Sequence, residues 1–325
     1  MKVVFYHHTP LPVKKYGGTE RIMFWHMKEL VALGHEVVLL GHPDSEVQKF
    51  GISLIPLPKD KLRNGWEELI PLDGDILHLQ FSTLDKFKIP HICTVHGNAK
   101  VNEVLSENSV FVSGKHASIH GSDQFVYNAL DFSEYPEPDN LNKKEKENIL
   151  FLAKASWKVK NLKDSISLCK SLKKHLHIVG GKTFSLSKYI HNHGIIGGEK
   201  KLEILRSCDA LVFPVKWDEP FGIALVEAMS QGLPVFGSSF GSLPEVIGPA
   251  GFTARSKEEL LCAMKDWDIK LTPKEIRNYA LEKFNINKYS KNYLELYDKV
   301  INKQKLNTKA PLRVSSKDPE ELFNF

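Results

Sequence analysis

Asp218-Glu219-Pro220-Phe221-Gly222-Ile223-Ala224-Leu225-Val226-Glu227-Ala228-Met229 follows the apolar run Ala210 to Val215 and precedes Gly232-Leu233-Pro234-Val235. The succession reads as strand, loop, helix, glycine stop and next strand. Gly222 lets another molecule's polar groups come close to the N–H groups that a helix's first turn leaves unpaired. The partial positive charge there favours an anion or a set of acceptor oxygens. Glu219 stands in the loop and Glu227 in the helix body, and a carboxylate accepts hydrogen bonds from hydroxyls. Phosphate together with hydroxyls points to a nucleotide, a sugar or both.

The same alternation extends through the chain. Lys2 to Tyr6 reads as a buried strand, Thr19 to Leu33 as a helix with Thr19 as N-cap and Gly34 as stop, and Glu36 to Gly41 as the next strand. This is a βαβ unit. Further short strands are predicted at Ile52–Leu57, Asp75–Gln80, Ile89–Val95, Val110–Ser113 and Phe125–Leu130. Residues 136–148 lose the apolar period and read as a linker. After it the pattern restarts, with strands at Ile149–Ala153, Leu176–Val179, Ala210–Val215 and Val235–Ser238. Helices are predicted at Leu162–Leu172, Glu199–Arg206 and Ser256–Trp267, then Pro273–Phe284 and Lys288–Ile301. The fold class is therefore α/β: two Rossmann-like parallel-sheet domains, 1–135 and 149–287, facing across a cleft. Ligands of such sheets bind beyond the carboxyl ends of the strands. The tail, 305–325, has no clear pattern and is expected to be partly mobile.

Length and composition agree. At 325 residues two domains are expected. A net charge of +5 suits anionic substrates or an anionic membrane surface and is no nucleic-acid signature by itself. The four cysteines, Cys93, Cys169, Cys208 and Cys262, have neither metal-ligand nor redox spacing and read as buried free thiols. The N-terminus enters a strand directly and no apolar window reaches the length of a membrane span, so a cytoplasmic protein is expected. The amphipathic segment Phe24-Trp25-His26-Met27-Lys28 is compatible with peripheral membrane contact, against the plainer reading of a core-packed helix.

Four other places carry chemistry. Gly17-Gly18 lies in the first βα loop, either as a plain turn or as a site of close ligand approach; it lacks the Gly-x-Gly-x-x-Gly spacing of NAD-binding folds. His96 follows a strand end and is either a capped loop histidine or a site residue, whereas His78 sits inside a strand and reads as structural. Lys154 and Lys160 share one βα loop, either as a solvated basic cluster or as a pair that neutralises a diphosphate. Glu219 and Glu227 complete the set. No phosphate-transfer loop, zinc motif or nucleophile elbow competes.

At these residues the chain resembles the retaining family-4 glycosyltransferases of the GT-B fold (glycosyl transferases group 1). Glu219 through Glu227 looks like that family's Glu, seven residues, Glu motif. The resemblance extends over Gly17-Gly18-Thr19-Glu20-Arg21, Gly34-His35-Glu36-Val37, Thr94-Val95-His96, residues 126–131 and residues 241–246, in the family's order. It implies a metal-independent, retaining transfer from a nucleotide-diphosphate sugar, with UDP-sugars preferred to GDP-mannose, to a carbohydrate or lipid-linked acceptor hydroxyl. No further cofactor and no nucleic acid is implied. Glu227 would hold the ribose; Glu219 and the backbone N–H groups of Phe221, Gly222 and Ile223 would hold the donor sugar. Gly17 and Gly18 would approach the diphosphate, His96 would sit by the transferred sugar, and Lys154 and Lys160 would stabilise the leaving diphosphate. The N-terminal domain would take the acceptor, and helix 288–304 would return to it. The chain departs from the family at Ala153-Lys154, where Gly-Arg is usual; lysine keeps the charge and loses the bidentate fork. It also has Asn128-Ala129 for Asn-Gly, and a short N-terminal half. Two other readings follow from the same residues: a sugar-nucleotide-binding partner subunit without transfer, and a Rossmann-fold oxidoreductase or epimerase, which the missing dinucleotide fingerprint disfavours.

Overall fold

The computed structural model describes residues 1–15, 17–139, 141 and 146–313. The chain divides into two compact units: the first comprises Met1–Val13 and Gly17–Ala129 and resumes at Ile286, and the second is built on Leu130–Asn285 with Lys14 and Lys15. Among the described residues each unit contains one six-stranded sheet, parallel throughout.

In the first unit the strands are β1 (Lys2–His7), β2 (Glu36–Gly41), β3 (Ser53–Pro56), β4 (Ile76–Leu79), β5 (His91–Val95) and β6 (Ser109–Phe111). Their order is β3-β2-β1-β4-β5-β6, so the winding reverses between β1 and β4. Central strands buried on both faces read as continuous apolar runs, and Val3, Val4 and Phe5 are fully buried. Helix α1 (Gly18–Ala32) buries Phe24, Trp25 and Met27. The segment with membrane potential in the sequence is thus core, leaving no apolar face there for a bilayer. The cap also differs from expectation. Gly17, not Thr19, precedes the helix, at φ 143°, and its carbonyl accepts from the Arg21 backbone N–H.

The C-terminal helix α9 (Ile286–Ile301) packs on α1 and β5 through a buried polar chain. Ser290 Oγ meets His26 Nδ1 at 2.8 Å, and His26 Nε2 meets Tyr297 Oη at 2.8 Å. Tyr297 Oη meets His78 Nδ1 at 2.6 Å, His78 Nε2 meets Thr94 Oγ1 at 2.7 Å, and Thr94 meets Tyr293 Oη at 2.6 Å. With both imidazoles neutral, each link receives one hydrogen when all five donors point the same way along the chain, from Ser290 toward Tyr293 or the reverse. His78 is structural, as its place inside β4 predicted.

The second unit contains β7 (Asn148–Leu152), β8 (His175–Val179), β9 (Ile190–Gly194), β10 (Ala210–Phe213), β11 (Val235–Ser238) and β12 (Gly251–Ala254), in the order β12-β11-β10-β7-β8-β9. Here the winding reverses between β7 and β10. Its helices are α3 (Leu162–Ser171), α4 (Gly198–Ser207), α5 (Ile223–Ser230), α6 (Leu243–Ile247), α7 (Lys257–Asp266) and α8 (Pro273–Lys283); α2 (Gly114–Ser118) belongs to the first unit. Thr272 and Glu275 close a capping box on α8.

Several expectations need correction. Phe125–Leu130 is no strand: it meets β6 in a single bridge, where Phe111 N–H donates to Gln124 O and Val126 N–H to Phe111 O, before the chain enters the second unit. Strands β9 and β12 escaped the sequence because edge strands need no apolar run; β9 reads Ile-His-Asn-His-Gly. Cys262 is exposed, on the outer side of α7. Of the expected linker, residues 140 and 142–145 lie outside the described residues. So do residues 314–325, with Leu322 and Phe323 among them. The first part of that tail is packed rather than loose. Asn307 is buried and donates to Glu107 O and Ser109 O, and Leu312 N–H donates to His120 O. No described helix is long and apolar enough to cross a membrane.

Candidate active site

The second unit gathers the expected donor residues at its topological switch point. Lys154 and Lys160 follow β7, Glu219 follows β10, and Phe221, Gly222 and Ile223 open α5. Lys160 is buried and its Nζ donates to Glu219 Oε2 at 2.5 Å across 59 residues of sequence. The same oxygen accepts from Trp217 Nε1 at 2.6 Å. The Lys160 ammonium also lies 4.8 Å from the Trp217 ring centroid, 5.3 Å from Phe213 and 5.9 Å from Trp157. A buried cation without a carboxylate is expensive, and aromatic faces around it supply cation–π attraction. Lys154, exposed, sits 5.5 Å over Trp157. Lys160 and Glu219 therefore satisfy each other. The two residues, read separately in the sequence, form one pair, and the tryptophans around it gave no spacing signal.

The loop bearing Glu219 rests on backbone. Ser242 N–H donates to Glu219 O at 2.9 Å. A Cβ on Gly241, which sits at φ 55°, would lie 2.3 Å from Glu219 N. Gly241→Ala is therefore expected to displace this loop and cost about 2 kcal/mol or more of stability, read as a urea-midpoint shift; an unshifted midpoint would show that the loop yields freely. Gly222 adopts the left-handed conformation at φ 79°, and no side chain caps α5. Phe221 is buried against Phe284, ring centroids 5.5 Å apart, so its backbone rather than its ring faces the loop.

Glu227 is buried within a triangle. Lys201 Nζ donates to Glu227 Oε1 at 2.6 Å and to Tyr135 Oη at 2.9 Å, and Tyr135 Oη donates to the same carboxylate oxygen. Lys201 comes from α4 and Tyr135 from the start of the second unit; neither was singled out in the sequence, because a lysine among the charged residues of an amphipathic helix looks solvated. Lys201→Met would remove the ammonium beside the buried Glu227 carboxylate, and about 3 kcal/mol should be lost. Chemical denaturation measures it; a loss below 1 kcal/mol would mean the carboxylate finds other partners.

The remaining expected residues are in the first unit. Gly17, at φ 143°, lies where an added Cβ would stand 2.8 Å from the Glu20 carboxylate. Gly18 is the first residue of α1. His96, at the carboxyl end of β5, has Nε2 2.8 Å from Gln80 Oε1; donation by His96 gives the Nε2–H tautomer with Nδ1 as acceptor. Burial pushes its pKa down to about 4. Two cavities, of about 200 Å³ beside Trp267 and about 460 Å³ beside Thr83, are lined by none of these site residues.

The profile of the family described as glycosyl transferases group 1 matches residues 135–268, a span holding Lys154, Lys160, Glu219 and Glu227. These residues match the group 1 glycosyltransferases. It is 29% identical over 188 residues to the O-antigen chain mannosyltransferase RfbU of Salmonella typhimurium, an alignment covering 53% of this chain and 48% of that protein. The chain thus matches about half the length of this curated relative, and less of two others. Among solved structures, AviGT4, a glycosyltransferase involved in avilamycin A biosynthesis, superposes with a TM-score of 0.76 at 21% identity, over 93% of this chain and 98% of that one. Anabaena HepE, solved in complex with UDP-glucose, gives a TM-score of 0.68 at 14% identity, over 92% and 99% of the chains. At these identities the likeness carries the fold, which is GT-B.

Proposed function

We propose that this group 1 glycosyltransferase moves a sugar, with retention, from a nucleotide-diphosphate sugar to an acceptor hydroxyl in the synthesis of a glycan or glycoconjugate. The observation that carries the reading is the Lys160–Glu219 pair beside the uncapped N-terminus of α5, at the switch point of the second sheet. A diphosphate entering there competes with Glu219 for Lys160. The freed carboxylate is then an acceptor for donor-sugar hydroxyls, and the N–H groups opening α5 donate to the same ligand. Glu227, oriented by Lys201 and Tyr135, takes the ribose hydroxyls. As the glycosidic bond breaks, negative charge grows on the β-phosphate, where Lys160, Lys154 and the α5 N-terminus stabilise it. The leaving phosphate oxygen accepts the proton of the attacking hydroxyl on the same face of the sugar. The positive charge at the diphosphate comes from side chains and backbone, so the scheme requires no divalent metal. His96, neutral at pH 7, presents Nδ1 as an acceptor to a sugar hydroxyl.

UDP-sugars are the proposed donors; RfbU, a mannosyltransferase, makes GDP-mannose the competing one. A thermal-shift panel of UDP-, GDP-, ADP- and dTDP-sugars ranks them, because a ligand that binds only the folded state raises its apparent stability. The proposal fails if no sugar nucleotide raises the melting temperature. Lys154, standing where the family has arginine, favours one second reading, a sugar-nucleotide-binding subunit that does not transfer. Donor binding by calorimetry, with neither slow donor hydrolysis nor transfer, would favour it.

A further inference from the structure

The crossover between β8 and β9, residues Gly180–Tyr189, contains no helix, although parallel strands usually take one there. It runs as an extended segment in which Lys182, Phe184, Leu186 and Lys188 are exposed, while Gly181, Thr183, Ser185 and Ser187 are half-buried. Phe184 and Leu186 are each 91% exposed. The alternation is fixed from the inner side. Thr183 N–H donates to Asn192 Oδ1 at 2.9 Å, and Asn192 Nδ2 donates to Thr183 O at 3.0 Å, so an amide side chain on edge strand β9 imitates a neighbouring strand. Ser185 Oγ accepts from Ser187 N–H at 3.2 Å, and Ser187 Oγ from Tyr189 N–H at 3.4 Å. Two large apolar side chains are thus held out in water between two lysines. Ile195, just beyond β9, adds another apolar side chain, 56% exposed.

The charge of this stretch of sequence is one-signed, although Glu147 and Asp209 lie near Lys174. Between Asp164 and Glu199 the sequence has no acidic residue, and it carries Lys170, Lys173, Lys174, Lys182 and Lys188. Strands β8 and β9 add His175, His177, His191 and His193, hydrogen-bonded in cross-strand pairs at 2.8 and 3.0 Å. Acids elsewhere in the second unit make this a local asymmetry, not a property of overall composition. Apolar side chains flanked by cations, in a stretch of sequence without acids, fit an interface with acyl chains below and anionic headgroups above.

We propose that the 182–188 segment is a membrane-contact finger: Phe184 and Leu186 enter the acyl boundary of an anionic bilayer while Lys182 and Lys188 pair with its phosphates. The occupant is a lipid surface rather than a protein groove. Phe184 and Leu186 each stand 91% exposed, and the neighbouring lysines match the charge of the headgroup layer. This inference stands apart from the transfer chemistry, since none of its residues touches the candidate active site.

The test uses the whole chain and two vesicle types, phosphatidylcholine alone and an equimolar mixture with phosphatidylglycerol. Flotation should recover the protein with the mixed vesicles and not with phosphatidylcholine alone. Phe184→Ser with Leu186→Ser, and separately Lys182→Glu with Lys188→Glu, should each weaken that association about tenfold or more. Melting temperatures should not change, because the side chains are exposed. No association of the unaltered chain with mixed vesicles, or undiminished association of both variants, would overturn the proposal. So would sedimentation velocity showing a dimer that the serine pair dissolves, which would make the finger a contact between two copies.

Discussion

Lys160→Met should reduce transfer by about 10²- to 10³-fold, the loss typical when one charge-stabilising donor at a developing anion is removed. Glu219→Gln should fall comparably and also lose stability, because the amide oxygen still accepts from Lys160 and Trp217 but no longer balances the buried ammonium. Combined, the two substitutions separate structure from chemistry. Lys160 and Glu219 are both buried and paired at 2.5 Å. Removing the lysine alone strands a carboxylate, at a cost of about 3–5 kcal/mol, whereas removing both charges strands nothing. The double variant, Lys160→Met with Glu219→Gln, should therefore regain most of the stability lost by Lys160→Met and none of its turnover. Urea midpoints and initial rates with the donor found by the thermal-shift panel provide the two readouts. Turnover returning together with stability would reduce the pair to a structural ion pair, and full turnover in Lys160→Met would end its assignment to the diphosphate.

That pair also marks how far the sequence could be read. Gly222 and the two glutamates declared a helix start and two carboxylates, because backbone freedom and charge are written into single residues. The partners of those carboxylates were not legible. Lys160 meets Glu219, and Lys201 and Tyr135 meet Glu227, across separations of 59, 26 and 92 residues. Such contacts follow from the parallel packing of β7 beside β10, which periodicity implies only in outline. The doubly buried strands were plain in their apolar runs; β9 and β12, half-wetted at the sheet edges, were not. Thr19 illustrates a different limit. Its hydroxyl suits an N-cap, yet the cap falls two residues earlier, on Gly17, whose φ of 143° favours glycine. Tail residues such as Asn307 looked unstructured because a buried amide satisfied by two carbonyls has no period to detect.

Acid should unfold the first unit well above the pH at which carboxylates titrate. Burial depresses the pKa of His26 and His116 to about 3 and of His96 to about 4, and takes His78 well below its ordinary value. In the unfolded chain all four return to about 6.5. The unfolded state then binds protons that the native state refuses, so stability is complete above about pH 6.5 and falls as pH drops toward the native values. Each such histidine costs about 1.4 kcal/mol per pH unit over that window. By pH 5 the three with stated values together remove about 6 kcal/mol, much of a typical domain's stability of about 5–15 kcal/mol. His78 acts in the same direction. The chain Ser290–His26–Tyr297–His78–Thr94–Tyr293 concentrates the effect on the seat of α9. Between pH 7.5 and 5 the melting temperature should fall by about 10–20 °C. A melting temperature constant over that range would refute the burial of these rings as neutral groups. His26→Gln with His78→Gln keeps a donor and an acceptor at each position and removes two titrating groups. It should flatten the dependence by about 2.7 kcal/mol per pH unit, an outcome that generic acid destabilisation would not produce.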